Sequence, residues 1–356
     1  MPLDETIFLT GFPGFIAARL VRRLAAEGSR FLLLVEQKWM EQARAQVARI
    51  STETNTPAGS FHLIKGDITE PGLGLCAAEL ERVRGEATGL FHLAALYDLA
   101  VKREPAMRVN VEGTRNVNAL ALALPGLRRY DYVSTCYVAG LRTGVILETE
   151  LEHSAGFRNF YEETKYLAEM EVEALKSSLP VTIHRPAVVC GDSRTGQTAK
   201  YDGIYYLIQY LRMQPSLLSL VNIGTRDATL NLVPVDFVVE ALAALWKDER
   251  SIGATLQLAD PQPLSTYDLF ETIARTLVGR GSRIAAPPGL VKKTLLLPFS
   301  KYLTGLPLSG VPYFFLEQTY DTTLARALLS EQGVGCPSFP EYVGALVEYV
   351  ARHPKL

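Results

Sequence analysis

The chain has 356 residues, of which 48% are hydrophobic, and its 36 Lys and Arg nearly balance 38 Asp and Glu, for a formal net charge of −2. This length allows one large α/β domain with a smaller lobe, and the near-zero charge argues against a nucleic-acid partner bound to a broad basic surface. Four cysteines without paired spacing favour a reducing compartment over a disulfide framework or a metal site; they are Cys76, Cys136, Cys190 and Cys336.

No targeting or transmembrane segment is predicted. The N-terminal sequence MPLDET lacks the basic start and long apolar core of a signal peptide. The longest uncharged apolar stretch, 302–316, is interrupted by Pro307 and Pro312, and it is shorter than the ~18–20 residues that a spanning helix needs. We therefore expect a cytoplasmic protein.

The first predicted elements are a strand, a glycine turn and a helix. Residues 6–9 form a short apolar run, Gly11 and Gly14 follow in LTGFPGFIAARL, and apolar residues continue over 15–24. Unpaired N–H groups and the helix dipole at such a junction attract an anion, so the stretch predicts a phosphate-binding turn. A tight turn that feeds a buried helix has the same spacing and is the alternative.

Strand and helix patterns then alternate. Helical stretches such as 40–50 and 111–124 separate short apolar runs of strand length. The runs are 31–35, 61–64, 90–93, 130–134, 181–189 and 256–258. Apolar strands that alternate with helices predict a doubly wound parallel sheet covered on both faces, which binds ligands at the carboxyl ends of its strands.

A change of composition after Gly191 predicts a second, smaller unit. The polar loop GDSRTGQTAKYDG and the helix-like IYYLIQYL interrupt the alternation, which resumes at NLVPVDFVVEALAALW with Asp236 as a predicted helix N-cap. Ser265 and Asp268 predict a capping box. The first predicted unit is a core domain formed by 1–190 plus 228–260. The second is a mostly helical C-terminal substrate lobe formed by 191–227 plus 261–356.

Tyr161 and Lys165 form the most informative pair of reactive side chains. They are four residues apart on the helix predicted over 159–175, so they share a face. A phenol with a pKa near ~10 is a weak acid at neutral pH, and a neighbouring ammonium group is expected to lower that pKa. The pair therefore predicts a proton donor or acceptor for a carbonyl or alcohol oxygen. An amphipathic helix with a surface lysine is the alternative.

Two hydroxyl residues at a strand end support the chemical interpretation. YDYVSTCYVAG places Ser134 and Thr135 at the carboxyl end of the strand 130–134, where the sheet presents ligands. Either hydroxyl can donate a hydrogen bond to the reacting oxygen and stabilise its developing negative charge. A polar strand end that caps a turn is the alternative.

Seven short motifs occur in a fixed order over about the first 190 residues. They are Thr10-Gly11-x-x-Gly14, Gly66-Asp67-Ile68, His92-Leu93-Ala94-Ala95, Asn110-x-x-Gly113-Thr114, Ser134-Thr135, Tyr161-x-x-x-Lys165 and Arg185-Pro186. In this order they resemble an extended short-chain dehydrogenase/reductase. GDITEPGLGL, VSTCYVAG and HRPAVVCGDSRTG are further similar to its fatty acyl-CoA reductase and thioester-reductase (male sterility-type) branch. The resemblance implies a Rossmann-type core domain that binds NAD(H) or NADP(H).

The resemblance also implies a role for each matched position. The residues that it places around the cofactor, in addition to the pair named next, are Gly11, Phe12, Gly14, Phe15, Ile16, Asp67, Ile68, Ala94, Ala95 and Pro186. It implies that Tyr161 is the general acid and that Lys165 holds the nicotinamide ribose. Thr135 is the implied hydroxyl donor, with Ser134 as the second choice, and Asn110 is implied to hold the active-site helix.

Glu36 departs from the usual pattern of this branch. It follows the predicted second strand, in LLLVEQKW, where the branch often carries an arginine for the 2′-phosphate of NADPH. A carboxylate at this point accepts hydrogen bonds from free ribose hydroxyls and repels a phosphate. We therefore expect NAD(H) over NADP(H), with Lys38, Arg19 or Arg22 as residues that can compensate. A solvated strand end is the alternative interpretation of Glu36.

Five other residues are interpreted as structural or inert. His92 and His184 lie on predicted buried strands, and Trp39 and Trp246 are expected to pack in the core. Cys136 lies close to the predicted site, but no base is predicted beside it, so we expect no nucleophilic role. No metal site is expected.

The predicted lobe holds many apolar side chains. They are Tyr205, Tyr206, Leu207, Tyr210, Leu211, Leu295, Leu296, Leu297, Phe299, Tyr313, Phe314 and Phe315. A pocket lined by such residues fits a hydrophobic small molecule, such as the acyl chain of an acyl-CoA or acyl-carrier thioester. A small hydrophobic core under the lobe explains them equally well.

The expected function is that of an NAD(P)H-dependent oxidoreductase, with hydride transfer to a fatty acyl thioester, an aldehyde or a ketone. The alternatives are, in order, a dehydrogenase of a hydroxysteroid-like alcohol, a nucleotide-sugar epimerase or dehydratase, and a non-catalytic dinucleotide-binding regulator. The helices over 111–124 and 161–175 would allow a homodimer, as in related enzymes.

Overall fold

The structure, a computed structural model, describes residues 5–297 and 308–355. Its strands are β1 (Thr6–Thr10), β2 (Arg30–Val35), β3 (Phe61–Lys65), β4 (Gly89–His92), β5 (Arg129–Val133), β6 (Gly144–Ile146), β7 (Val181–Pro186), β8 (Val188–Cys190), β9 (Val221–Asn222), β10 (Leu232–Pro234), β11 (Thr255–Leu258), β12 (Ile284–Ala285) and β13 (Gln318–Tyr320). Its helices are α1 (Phe15–Ala25), α2 (Met40–Thr54), α3 (Ala77–Glu86), α4 (Arg103–Ala106), α5 (Gly113–Leu122), α6 (Phe160–Glu173), α7 (Ile204–Met213), α8 (Pro215–Leu218), α9 (Val235–Lys247), α10 (Thr266–Val278), α11 (Pro288–Leu295), α12 (Thr323–Ser330) and α13 (Phe339–Arg352).

Seven strands form one parallel sheet in the order β11-β7-β5-β4-β1-β2-β3. Alternate residues of each strand point to opposite faces, so Leu9 packs in the apolar cluster on one face and Phe8 in the cluster on the other. Both faces are apolar because helices cover both. The predicted doubly wound, Rossmann-type sheet is confirmed, and β1, β4 and β5 end side by side at one edge.

The single strand predicted over 181–189 is two strands in two sheets. β7 pairs with β11 in the main sheet, whereas β8 pairs with β10. The change of partner occurs between Ala187, whose N–H donates to Leu258 O at 3.0 Å, and Val188, whose N–H donates to Asn231 O at 3.1 Å. The apolar run is continuous in sequence, and the missing N–H of Pro186 is its only sign of an interruption.

The helix predicted over 111–124 begins earlier. A π-helical turn, Met107–Glu112, joins α4 to α5 without a break, because its flanking residues keep helical dihedral angles. Pro105 concealed this start, although a proline in the first turn of a helix costs no hydrogen bond. The π-helical turn carries Asn110, one of the predicted catalytic residues.

Of the two predicted helix caps, one is correct in part and one is wrong. Ser265 caps α10 by accepting a hydrogen bond from the N–H of Asp268 at 3.0 Å, but its hydroxyl then donates to the Asp268 carboxylate at 2.6 Å. Asp236 is not the N-cap of α9, since Pro234 holds that position. The Asp236 carboxylate instead accepts hydrogen bonds from the N–H and hydroxyl of Ser193, at 2.8 and 2.5 Å.

The C-terminal lobe has its own apolar core, built between α7, α10 and α13. Tyr205, Leu207 and Leu211 are buried in it, so these three residues stabilise the lobe. Leu207 also lines a small apolar cavity beside this core. Of the tryptophans, Trp246 stacks on Phe91 with ring centroids 4.4 Å apart, as expected of a core residue. Phe299 lies outside the described residues. Over the described ranges, no helix is both long and apolar enough to cross a membrane.

Candidate active site

The turn between β1 and α1 requires glycine at two positions. Gly11 has a φ of +91°, and a Cβ added to it would lie 2.8 Å from the backbone nitrogen of Ala94. A Cβ on Gly14 would lie 2.6 Å from the carbonyl oxygen of Gly11. The turn therefore packs directly on the loop after β4. A groove runs along this edge of the sheet and is lined by both segments.

The groove meets the N-terminus of α1. Gly14 caps this helix without a side-chain hydrogen bond, and no acidic residue lies in its first turn. The N–H groups of Phe15, Ile16 and Ala17 have no partner inside the helix, because they belong to its first turn. These residues line the groove together with Phe12. Such a set of donors at a helix N-terminus fits the pyrophosphate of a dinucleotide.

Loops after β2 and β3 line the far end of the groove. The exposed Glu36 carboxylate lies 2.6 Å from the ammonium group of Lys38. Asp67 and Ile68 also line the groove. Trp39 is 47% exposed here, which corrects its assignment to the core. It ends a short turn, Gln37–Trp39, in which no residue is buried, so its ring is available to a ligand.

Helix α6 brings Tyr161 to the carboxyl ends of β5 and β7. Asn159 caps α6 by accepting a hydrogen bond from the N–H of Glu162 at 3.0 Å, and Tyr161 is 7% exposed. Burial raises the pKa of the Tyr161 phenol above its ordinary value, and a hydrogen bond with Thr135 opposes this shift. The expected lowering of this pKa by Lys165 is wrong, because the lysine directs its ammonium group to other partners.

Lys165 is 2% exposed and lies beside the end of β5. Its ammonium group donates to the phenol oxygen of Tyr132 at 2.8 Å and to the carbonyl oxygen of Val133 at 2.9 Å. Burial lowers the pKa of Lys165 to about 7, and the Glu169 carboxylate, one helical turn further on, opposes the shift. The amine therefore exchanges a proton near neutral pH.

The two hydroxyl residues after β5 have different partners. Ser134 donates to the carboxylate of Glu169, which also accepts two hydrogen bonds from Arg185, at 2.8 and 2.5 Å. The Thr135 hydroxyl accepts a hydrogen bond from the N–H of Tyr137 at 3.2 Å and donates to the carbonyl oxygen of Pro186 at 3.4 Å. It also lies beside the Tyr161 phenol and opposes the rise of that phenol's pKa. The structure thus engages the Ser134 proton in a buried ion-pair network, and it leaves Thr135 as the hydroxyl beside the phenol.

Asn110 links two elements of the site without lining it. Its side-chain oxygen accepts a hydrogen bond from the N–H of Leu96 at 2.7 Å, and its amide group donates to the hydroxyl of Thr164 at 3.0 Å. Thr164 precedes Lys165 on α6, so these bonds connect the loop after β4 to the helix that carries the reactive pair.

Tyrosines from three separate segments surround the phenol. The ring of Tyr97 meets that of Tyr161 edge-on at 5.1 Å, and the rings of Tyr137 and Tyr313 lie 4.7 Å apart. The hydroxyl of Tyr313 donates to the buried Glu162 carboxylate at 2.6 Å, which ties the segment Leu308–Phe315 to the first turn of α6. Sequence reasoning assigned no role to Tyr97 or Tyr137, although both follow its motifs by two residues.

One cavity of about 1480 Å³ joins the groove to this aromatic end. Every residue predicted to contact the cofactor lines it, Ala94, Ala95 and Pro186 among them, and so do Thr135 and Ser134. Tyr161 and Lys165 stand where the two parts meet. Tyr206 and Phe314 are shared with a smaller, almost wholly apolar cavity in the lobe.

Comparison with known families agrees with this geometry. The sequence profile of an NAD-binding family described as "Male sterility protein" matches residues 9–242, a range that includes the glycine turn, Thr135 and the pair on α6. The chain belongs to the male sterility protein family.

Relatives of this male sterility protein chain include named reductases. It is 28% identical over 288 residues to "Fatty acyl-CoA reductase wat" of Drosophila melanogaster, with 70% of the chain and 55% of that protein covered. It is 29% identical over 372 residues to "Putative dihydroflavonol 4-reductase" of Synechocystis, with 99% and 96% covered. The chain therefore spans about half the length of the Drosophila reductase.

A solved structure shares the whole fold of this male sterility family member. The terminal R domain of the myxalamid PKS-NRPS biosynthetic pathway superposes with a TM-score of 0.83 at 27% identity, with 99% of this chain and 92% of that chain covered. The chain accordingly has the NAD-binding fold of an extended short-chain dehydrogenase/reductase.

Proposed function

We propose that the chain reduces the carbonyl group of a hydrophobic substrate, which is a fatty acyl thioester, the aldehyde derived from it, or a ketone. The observation that carries the proposal is the position of Tyr161. Its phenol lies in one continuous cavity, between a glycine turn that fits a dinucleotide and a set of tyrosines that fits an apolar substrate.

In this mechanism the bound reduced nicotinamide supplies the hydride. Tyr161 donates its proton to the carbonyl oxygen, and Thr135 stabilises the charge that develops there. With a thioester, the hemithioacetal formed in this way breaks its C–S bond, releases the thiol of CoA or of the carrier, and gives the aldehyde. Lys165 holds the nicotinamide ribose and completes the set of donors. Burial raises the pKa of Tyr161, so the phenol is protonated at neutral pH and carries the proton that reduction requires. A dehydrogenase of a hydroxysteroid-like alcohol uses the same residues in reverse and remains the second candidate.

The proposed substrate class follows from the substrate end of the cavity. Tyr97, Tyr137, Tyr206, Tyr313 and Phe314 line it, and this aromatic majority favours an apolar group over a nucleotide-sugar. The charged Asp98, Lys200 and Asp202 line the same cavity beside Tyr97. One relative is named as a fatty acyl-CoA reductase, another as a nonribosomal peptide synthetase, and a solved relative as the terminal R domain of a PKS-NRPS pathway. These names support an acyl thioester delivered as an acyl-CoA or on an acyl carrier.

For the cofactor we infer a preference for NAD(H). Glu36 lines the end of the groove where the adenosine ribose would bind. Its carboxylate can accept hydrogen bonds from free ribose hydroxyls, and it repels a 2′-phosphate. Lys38 lies beside it and is the residue that would attract such a phosphate. A homodimer through the outer faces of α5 and α6 stays a prediction.

A coupled panel tests the proposal. Oxidation of NADH and of NADPH is followed with acyl-CoAs of several chain lengths, with long-chain aldehydes and with a sterol ketone. We expect turnover with the thioesters or aldehydes, and faster oxidation of NADH. Activity confined to the sterol ketone would favour the second candidate, and faster oxidation of NADPH throughout would contradict the interpretation of Glu36.

A further inference from the structure

Lys165 is held by a side chain outside the motifs that define the site. Two of its three ammonium protons are engaged, one by the carbonyl oxygen of Val133 and one by the phenol oxygen of Tyr132, at 2.9 and 2.8 Å. Tyr132 lies on β5 and is 1% exposed. Its position is fixed by the central sheet and not by a mobile loop.

The Tyr132 phenol continues into a buried chain of hydrogen bonds. It lies within hydrogen-bonding reach of the Thr114 hydroxyl, which donates to the carbonyl oxygen of Asn110 at 2.6 Å. His92 approaches the same hydroxyl through Nε2 at 3.0 Å, while its Nδ1 lies 2.7 Å from the hydroxyl of Thr10. The Thr114 proton is committed to Asn110, and the Tyr132 phenol oxygen accepts a hydrogen bond from Lys165.

We propose that Tyr132 is a positioning residue, which fixes the ammonium group of Lys165 so that its third proton is directed into the cofactor cavity. The proposal rests on the proposed function. It adds a residue whose phenol never touches substrate or cofactor, since Tyr132 does not line the cavity that Lys165 lines.

The surroundings of Lys165 determine how loss of the phenol would act. Several titratable or charged groups surround Lys165. They are Tyr161 and Glu169 on its own helix, Tyr132 on β5, His92 on β4, and Arg185 on β7, which is bonded to Glu169. Burial lowers the pKa of His92 to about 3 and raises that of Tyr132 well above its ordinary value, so both are neutral at neutral pH. Glu169 is the carboxylate among them, and it is shared with Arg185 and Ser134.

Removal of the Tyr132 hydroxyl therefore takes an acceptor from a buried ammonium group and favours its neutral form. A hydrogen bond to a charged group contributes about 1.5–3 kcal/mol, which corresponds to a pKa change of about one to two units. In Tyr132→Phe, the alkaline limb of activity should move to lower pH by about one unit. The pH above which dinucleotide affinity declines should move in the same direction.

Tyr130→Phe is the matched control. Tyr130 lies two residues earlier on the same strand, is fully buried and donates to the side-chain oxygen of Asn118 at 2.6 Å. Both variants lose one buried phenol hydroxyl, but only one of them affects Lys165. Melting temperatures establish that each variant is folded.

The experiment measures the pH dependence of NADH affinity by fluorescence titration and that of kcat with the best substrate of the panel. A shift in Tyr132→Phe alone supports the proposal. Equal profiles for the two variants and the unaltered protein would overturn it. If no carbonyl substrate is turned over at all, the proposed function fails, whereas the NADH titration still decides the role of Tyr132.

Discussion

At the scale of single residues, burial of Lys165 couples folding to pH. The pKa of this amine is lowered to about 7 from an ordinary value of 10.5. Between these values the unfolded chain binds a proton that the folded chain does not. Unfolding then takes up a proton, so the contribution of Lys165 to stability rises with pH over this window, and the cost of its burial is largest below pH 7.

Lys165→Met should accordingly stabilise the protein more at pH 6 than at pH 9. The substitution removes the cost of burying an ammonium group, which is present at pH 6 and largely relieved at pH 9. The difference between the two gains should be on the order of 2 kcal/mol, as two pH units above the lowered pKa imply. Urea unfolding at both pH values measures it, with the exposed Lys293→Met as control. An equal gain at both pH values would contradict this assignment.

Ser134 and Thr135 should respond differently to loss of their hydroxyls. Thr135→Val removes the donor beside Tyr161 and should lower kcat about 10²-fold or more. It also removes the acceptor for the N–H of Tyr137, so it should cost about 1 kcal/mol of stability. Ser134→Ala leaves the buried Glu169 carboxylate with one donor fewer and should cost about 1–3 kcal/mol of stability. Steady-state kinetics and thermal melts of both variants test this. A larger loss of kcat in Ser134→Ala would reverse the assignment.

The site residues that could be predicted are those whose motif lies within a few consecutive residues of the sequence. The four-residue spacing of Tyr161 and Lys165 predicts their shared helix face, which the structure has. The spacing does not show how deeply the side chains are buried, however. Burial raises the pKa of the Tyr161 phenol, which is the opposite of the expected shift. Tyr132 and Tyr97 were missed because their partners, Lys165 and Tyr161, lie far away in the sequence. The assignment of Trp39 to the core failed because residue type alone does not show that its ring is exposed.

At the scale of elements, the junction of β1 with α1 should fail when either glycine is replaced. Gly11→Ala places a side chain at a φ of +91° and against the backbone of Ala94, and Gly14→Ala forces the turn open at Gly11. We expect each to weaken NADH binding at least about tenfold, or about 1.4 kcal/mol. Fluorescence titration measures the affinity. Gly59→Ala is the control, because a Cβ there meets nothing within 4 Å. Unchanged NADH affinity in Gly14→Ala would contradict the assignment of this turn to pyrophosphate binding.

The sequence predicts the existence of the main-sheet strands better than it predicts where each strand begins and ends. Long apolar runs such as Phe31–Val35 are buried on both faces and are therefore predictable from composition. The division between β7 and β8 depends on which neighbour each N–H finds, and the role of Asp236 depends on the distant Ser193. Both are decided by tertiary contacts that a local pattern does not contain.

At the scale of the whole molecule, Tyr313 attaches the C-terminal segment Leu308–Phe315 to the catalytic helix. Tyr313→Phe removes the hydrogen bonds that its hydroxyl makes with Glu162 and Asn159, at 2.6 and 2.7 Å. The substrate end of the cavity should loosen, because one of its walls loses this attachment. We expect KM for the hydrophobic substrate to rise about five- to tenfold, the effect of about 1–1.4 kcal/mol.

The dinucleotide affinity should stay within twofold in Tyr313→Phe, since the groove is formed by other segments. Tyr320→Phe serves as the comparison, because its hydroxyl donates to Gln318 at 3.1 Å and not to α6. A rise of KM in both variants, or a parallel loss of NADH affinity, would show that Tyr313 acts on general stability and not on the substrate end.

The most direct test of the account is the turnover of Tyr161→Phe beside its affinity for NADH. The substitution removes the proposed proton donor and keeps the aromatic ring between Thr135 and Tyr97. We predict that kcat falls about 10²- to 10⁴-fold, that the dissociation constant of NADH stays within threefold, and that Tyr166→Phe on the same helix retains full activity. Substantial turnover by Tyr161→Phe would contradict the proposed mechanism.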